Sequence, residues 1–140
     1  MIAYLDSSAL VKAYVEEQES DKVDAVLNSE ALVASSCVAY AGVVAALHRR
    51  ARKGDIGAAN LAQALAEFHE DWPQFLPVEV GQALTPHVDR IAASYDLRGF
   101  DVIHLASAVL LAQTGRDLEF WSFDRRLVDA AAATGLVIRP

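Results

Sequence analysis

Cysteine is almost missing from this chain. Cys37 stands alone among 140 residues, which excludes an internal disulfide and suits a reducing compartment, so the cytoplasm is the expected location. A leader's pattern is not seen either: the opening MIAYLDSSALVK has no basic segment followed by a long apolar one, because Asp6 interrupts the run directly after Leu5. No secretory signal is therefore expected. Long hydrophobic runs are absent as well. The most apolar internal stretch, VIHLASAVLLA at 102–112, is too short for a bilayer and carries His104; it reads as a buried helix, and no membrane association is expected. Positive charge is scarce: 12 Lys and Arg against 19 Asp and Glu leave a formal net charge of −7. That balance argues against a broadly basic nucleic-acid face without excluding a local one.

Several chemistries lack their residues. The four histidines, His48, His69, His87 and His104, show no zinc-like pairing, and His104 reads as packing or hydrogen-bonding inside its helix. No GxxxxGK[ST], GxGxxG or GxSxG motif occurs. Ser7 and Ser8 have no evident base, which sets nucleophilic serine chemistry aside.

What is present is an alternation. Apolar runs at 2–5, 31–34, 75–80, 118–123 and 136–138 read as strands. Between them helical patterns run through SALVKAYV, DKVDAVLN, residues 36–53, AANLAQALAEFHEDW, residues 82–95, DVIHLASAVLLAQ and DRRLVDAAAA. Gly54, Gly115 and Gly135 sit where helices should stop. No linker, repeat or low-complexity tract divides the chain, so residues 1–140 are expected to form one domain. Its class is α/β, a three-layer α/β/α sandwich with a mainly parallel central sheet.

Three aspartates stand out by place. Asp6 ends the first strand, Asp124 follows the late strand in EFWSFDRRL, and Asp101 opens the helix in LRGFDVIHLASA. Each alone has a capping explanation. Together they suggest more, since functional groups of such sheets gather beyond the carboxyl ends of the strands. Carboxylates brought close repel one another and stay ionised only with a cation between them. A hard divalent ion, Mg²⁺ or Mn²⁺, fits such an all-oxygen site and needs only one or two direct carboxylates.

YLDSSALVKAYV, SSCVAYAGVVAALHRR, LRGFDVIHLASAV and FWSFDRRL, in that order and spacing, resemble the PIN-domain ribonucleases, specifically the VapC-type toxins of toxin–antitoxin pairs. The resemblance spans essentially the whole chain and rests on the four motifs together. It implies a Mg²⁺- or Mn²⁺-dependent endoribonuclease whose metal is held by acids at the positions of Asp6, Asp101 and Asp124. A hydroxyl at the position of Ser122 supports that site, and Ser7 stands where relatives usually carry Thr. It also implies a homodimer silenced by a cognate VapB-type antitoxin whose tail fills the active site.

One position departs from the pattern. Relatives typically carry a glutamate in SxxxYAEV, six residues after the serine, and counting from Ser36 brings that slot to Gly42. Two explanations stand: Gly42 permits close helix packing, despite costing about 1 kcal/mol relative to alanine inside a helix, or an acidic ligand has been lost, by divergence or by design. Loss would weaken metal binding and give low or absent activity.

RNA approaching an acidic pocket needs cations. Arg49, Arg50 and Arg52, with His48 and Lys53 in the strip HRRARK, and Arg98 and Arg125 beside two of the aspartates, are the candidate phosphate contacts. The competing explanation is a solvated helix face for the strip, as for the acidic run EEQESDKVD at 16–24, and salt bridges for Arg98 and Arg125. Trp72 and Trp121 are either interface or core residues, core being the expectation. Beside the nuclease stand two other functions: a catalytically silent module that dimerises and engages an antitoxin, and a phosphatase using Asp6 as nucleophile. The last is weakened because position 8 is Ser where a second aspartate is needed.

Overall fold

The segment IAYL is buried at every position, and that fixes its place. In the computed structural model, which describes residues 1–140, β1 (Ile2–Leu5) is the central strand of a five-stranded sheet. Around it stand β2 (Leu32–Ser36), β3 (Leu76–Val78), β4 (Leu118–Trp121) and β5 (Val137–Arg139), in the order β3-β2-β1-β4-β5. All four pairings are parallel, so the expected α/β sandwich is found with a wholly parallel sheet. Parallel strands covered on both faces read as continuous apolar runs, as β1 does.

The helices are α1 (Ser7–Leu10), α2 (Ser20–Leu27), α3 (Val38–Arg52), α4 (Ala58–Asp71), α5 (Thr85–Ser94), α6 (Gly99–Ala112) and α7 (Arg125–Ala133). Two cores lie on opposite sides of the sheet. Ile2, Tyr4, Ala34 and Phe120 face Leu84, Ile91, Leu105 and Leu127. Ala3, Leu5, Val33 and Trp121 face Leu10, Val23, Val43, Leu47 and Phe68. The strict alternation along β1 thus feeds both layers, and each fully buried Leu or Phe contributes roughly 1.5–3 kcal/mol. Trp121 is a core residue and Trp72 is half-buried against Phe68 and Phe75. No helix is long and apolar enough to cross a membrane.

Departures from the expected elements have local causes. The second strand runs on through Ser35 and Ser36, since the Ser35 hydroxyl donates to the Leu5 carbonyl at 2.6 Å and can therefore be buried. The third strand is only three residues long, held at the sheet edge with Pro77 in its middle, where a missing N–H does least harm. SALVKAYV does not form one helix: α1 ends at Leu10 and the chain tightens into a 3₁₀ turn over Val11–Ala13. Gly54 and Gly115 do end helices, with φ of +80° and +83°, a region that residues with a side chain enter at a cost.

The strand order places the site. From β1 the chain steps to β2 and β3 on one side, then crosses to β4 on the other, so the order reverses between β1 and β4. In open α/β sheets that switch point, at the carboxyl ends of the strands, leaves a crevice. Leu5 pairs with Trp121 there, and the Asp6 N–H donates to the Trp121 carbonyl at 3.1 Å.

Candidate active site

Asp6 stands at the mouth of this crevice and is almost wholly buried, 3% exposed. Its Oδ1 accepts from the Ser8 hydroxyl at 2.7 Å and from the Ala9 N–H at 2.9 Å, and its Oδ2 accepts from the Ser122 hydroxyl at 2.6 Å. Ser122 in turn accepts from the Asp124 N–H at 3.1 Å, and Ser8 accepts from the Phe123 N–H at 3.0 Å. Two serines therefore stitch the end of β4 to the end of β1 through the Asp6 carboxylate. Burial raises the Asp6 carboxyl to about 6; the bonds from Ser122, Ser8 and Ala9 oppose that rise, and the nearby charge of Asp101 adds to it.

Two of the three aspartates cap helices. Asp6 caps α1, and Asp124 caps α7 by accepting from the Leu127 N–H at 3.1 Å. Asp101 caps nothing. It lies inside the first turn of α6, whose N-cap is Arg98, so the capping explanation fails for it. Its carboxyl is raised first by desolvation and then by the charge of Asp124, against the pull of Arg98 and Arg126.

All three acids line one cleft of about 800 Å³. Desolvation is the larger cause of the rise at Asp6 and Asp101, and in each case the charge of a neighbouring carboxylate adds to it. No group of three or more His, Cys, Asp or Glu side chains is close enough to enclose an ion unaided. The donors are oxygen only, and such a set fits a hard ion that keeps several of its waters rather than one caged by protein.

Gly42 lines the same cleft, at a point where space is short. A Cβ at this position would stand 2.4 Å from Ser7 Oγ and 3.0 Å from Ser7 Cβ. The close-packing explanation of the glycine thus has direct geometric support.

Five cations line the cleft, Lys12, Arg49, Arg50, Arg98 and Arg126, against the four carboxylates of Asp6, Glu17, Asp101 and Asp124. The local balance is far from the −7 of the whole chain. Of the sequence candidates, Arg49, Arg50 and Arg98 are brought to the cleft; Arg52 and Arg125 are not among its lining residues. Helical period explains both. Gly42, Ala46, Arg49 and Arg50 form one stripe of α3 and Arg52 falls off it. Arg125 turns to solvent, 93% exposed and 4.0 Å from Asp129, while Arg126 one position on faces the cleft.

Lys12 and Arg126 are cleft residues that the sequence reading did not single out, and Glu17 and His104, read there as part of a solvated face and as a residue held inside its helix, line the cleft as well. Lys12 bonds Glu17 at 3.2 Å and the Gln18 carbonyl at 2.8 Å, and lies 4.6 Å from the centre of the Phe123 ring. Burial pushes the Glu17 carboxyl up, but the bonds from Arg50 and Lys12 outweigh it and hold the group below its ordinary value. His104 does not bond within its helix. It bonds Tyr4 of β1 and Ser7 of α1. The i, i+3 spacing of Asp101 and His104 was the available signal that both face one side of α6.

Comparison with known proteins now decides the family. The PIN domain pattern matches residues 3–133. The chain belongs to the PIN-domain family. It groups with VapC-type members: Ribonuclease VapC45 of Mycobacterium tuberculosis is 34% identical over 139 residues, covering 99% of this chain and 95% of that one. Among solved structures, the Mycobacterium tuberculosis toxin VapC20, described as cleaving the sarcin-ricin loop, has a TM-score of 0.66 at 17% identity and covers 99% of both chains. A toxin–antitoxin complex from Klebsiella pneumoniae has a TM-score of 0.68 at 20% identity, covering 96% of this chain and 95% of that one. At these identities the structural likeness concerns the fold.

Proposed function

We propose that the protein is a cytoplasmic endoribonuclease toxin of a type II toxin–antitoxin pair, dependent on Mg²⁺ or Mn²⁺. The observation that carries this reading is the convergence of Asp6, Asp101 and Asp124, from three separate parts of the chain, on one cleft at the sheet's switch point. The 34% identical relative called a ribonuclease supports the activity, and the toxin–antitoxin complex of the same fold supports a VapB-type antitoxin as partner. The homodimer belongs to the same proposal.

The residues divide the work. Asp6 is held rigid by Ser8, Ser122 and Ala9 with its charge facing the cleft. Asp101, free of capping duty, and Asp124 complete the acidic set. Lys12, Arg49, Arg50, Arg98 and Arg126 take the phosphates of the strand on either side. Asp6, Asp101 and Asp124 would hold a divalent cation, which would supply a more acidic water and charge neutralisation for the phosphate. An Asp6 carboxylate already accepting three hydrogen bonds is a poor nucleophile, which disfavours the phosphatase reading.

The absence of a carboxylate at Gly42 keeps a second reading in view: a PIN-fold module that binds an antitoxin and dimerises without cutting RNA. Metal titration with RNA cleavage assays on the chain and on Asp6→Asn separates the two. Cleavage present in the chain and lost in the variant supports the nuclease, at whatever low rate Gly42 permits; equal activity in both supports the silent module.

A further inference from the structure

A buried polar chain reaches this cleft from the core. The Tyr4 hydroxyl lies 2.8 Å from His104 Nδ1, and His104 Nε2 lies 3.3 Å from Ser7 Oγ. Tyr4 is wholly buried and His104 is 3% exposed. Desolvation holds the imidazole down to about 4, so at neutral pH the ring is uncharged and carries one N–H. Nδ1 is a hydrogen-bond partner of the buried phenol, whose hydroxyl also has Ser107, Ser36 and Ser35 beside it. In the arrangement proposed below Tyr4 donates to Nδ1, the ring proton sits on Nε2, and Nε2 donates to Ser7 Oγ. Ser7 then keeps its own hydrogen to give.

Gly42 makes the room for this hydroxyl, since Ser7 Oγ lies 2.4 Å from where a side chain at that position would begin. Asp6 has no need of Ser7, because both its oxygens are already supplied by Ser8, Ala9 and Ser122. The hydrogen left over faces a cleft lined by cations, and the acceptors such a cleft draws in are the oxygens of phosphates, which only accept.

We propose that Ser7 is a substrate-positioning donor of this site: Tyr4 and His104 fix its hydroxyl beside Gly42 so that it donates to a non-bridging phosphate oxygen of the bound strand. Tyr4 and His104 are positioning residues, acting through Ser7. The inference deepens the nuclease reading and rests on it. In this chain the place next to Gly42 offers a hydrogen-bond donor to the substrate rather than another carboxylate to the metal.

Two measurements on the full chain test it. Nitrogen NMR of the ¹⁵N-labelled protein at neutral pH reads the His104 tautomer. Protonated Nε2 with bare Nδ1 is expected, with loss of that preference in Tyr4→Phe; the reverse tautomer in the unmodified protein overturns the proposal. Affinity for a short single-stranded oligoribonucleotide, kept intact by Ca²⁺ in place of Mg²⁺, is then compared among the unmodified chain, Ser7→Ala and Tyr4→Phe. Ser7→Ala is expected to weaken binding roughly tenfold or more without changing the His104 tautomer, and Tyr4→Phe to weaken it as the tautomer preference fades. Unchanged affinity in Ser7→Ala overturns the proposal and leaves the nuclease reading standing. An unmodified chain that does not bind the oligoribonucleotide overturns the nuclease reading, and this inference with it, whatever the tautomer.

Discussion

Ser122 donates to Asp6 Oδ2 at 2.6 Å across a separation of 116 residues. That bond joins the ends of two neighbouring strands at the acid most deeply buried in the cleft, and it opposes the rise that burial imposes on the carboxyl. Ser122→Ala should therefore raise the Asp6 pKa further, above about 6. The acid limb of metal-dependent cleavage, or carboxyl NMR of Asp6, should move to higher pH. A hydrogen bond to a charged group contributes roughly 1.5–3 kcal/mol, and urea denaturation at neutral pH should show a loss of about that size.

Stability against pH should reveal two opposed groups. The Asp6 carboxyl sits at about 6 in the folded chain against an ordinary 3.8. Between those values the folded state keeps a proton the unfolded chain has released, so stability from this group falls as pH rises through the window. His104 sits at about 4 against an ordinary 6.5. Its contribution is full above the higher value and is lost as pH falls toward the lower one, because the unfolded chain takes the proton first. The two nearly offset in the unmodified protein. Asp6→Asn removes one of them and should be more stable at neutral pH without metal, by roughly 1–3 kcal/mol, with stability now falling on acidification from 6.5 toward 4. Denaturant titrations across that range in EDTA check both signs.

Neighbouring arginines should behave differently. Arg126 lines the cleft and Arg125 is 93% exposed, beside Asp129. Arg126→Ala should weaken binding of a short oligoribonucleotide and flatten its salt dependence by a slope of about 0.7 for one lost phosphate contact. Arg125→Ala should leave both unchanged, since an exposed pair of this kind contributes little. Arg49→Ala is expected to resemble the first and Arg52→Ala the second.

Restoring a glutamate at Gly42 meets Ser7. Gly42→Glu should tighten Mg²⁺ or Mn²⁺ binding and raise RNA cleavage, but its Cβ must first displace a hydroxyl that lies 2.4 Å away. Gly42→Glu with Ser7→Ala should therefore bind metal more tightly than Gly42→Glu alone. Calorimetric titration of the two variants measures the difference, and equal affinities would show that Ser7 moves aside without cost.

The sandwich was legible because strand runs such as IAYL and LEFW are short, apolar and separated by helical periods, and the three aspartates because each stood beside an apolar run. Long-range pairing was not. Nothing in the local pattern of Tyr4, Ser7 and His104 says that they meet, because they come from different layers and only the strand order brings them together. The difference between Arg125 and Arg126 depended on the rotation of α7 about its axis, and a run of two arginines does not reveal that. The glycine in YAGV was visible as a departure, while its steric reason required the coordinates of Ser7.

Asp6, Asp101 and Asp124 are proposed to serve one divalent ion whose shell is completed by water. Mn²⁺ binding followed by electron paramagnetic resonance on the full chain, and on Asp101→Asn, tests that most directly, since Asp101 is the acid without a capping role. One bound Mn²⁺ per chain, weakened at least tenfold by the substitution, is the predicted result. Binding of equal strength in the unmodified and Asp101→Asn chains would contradict it.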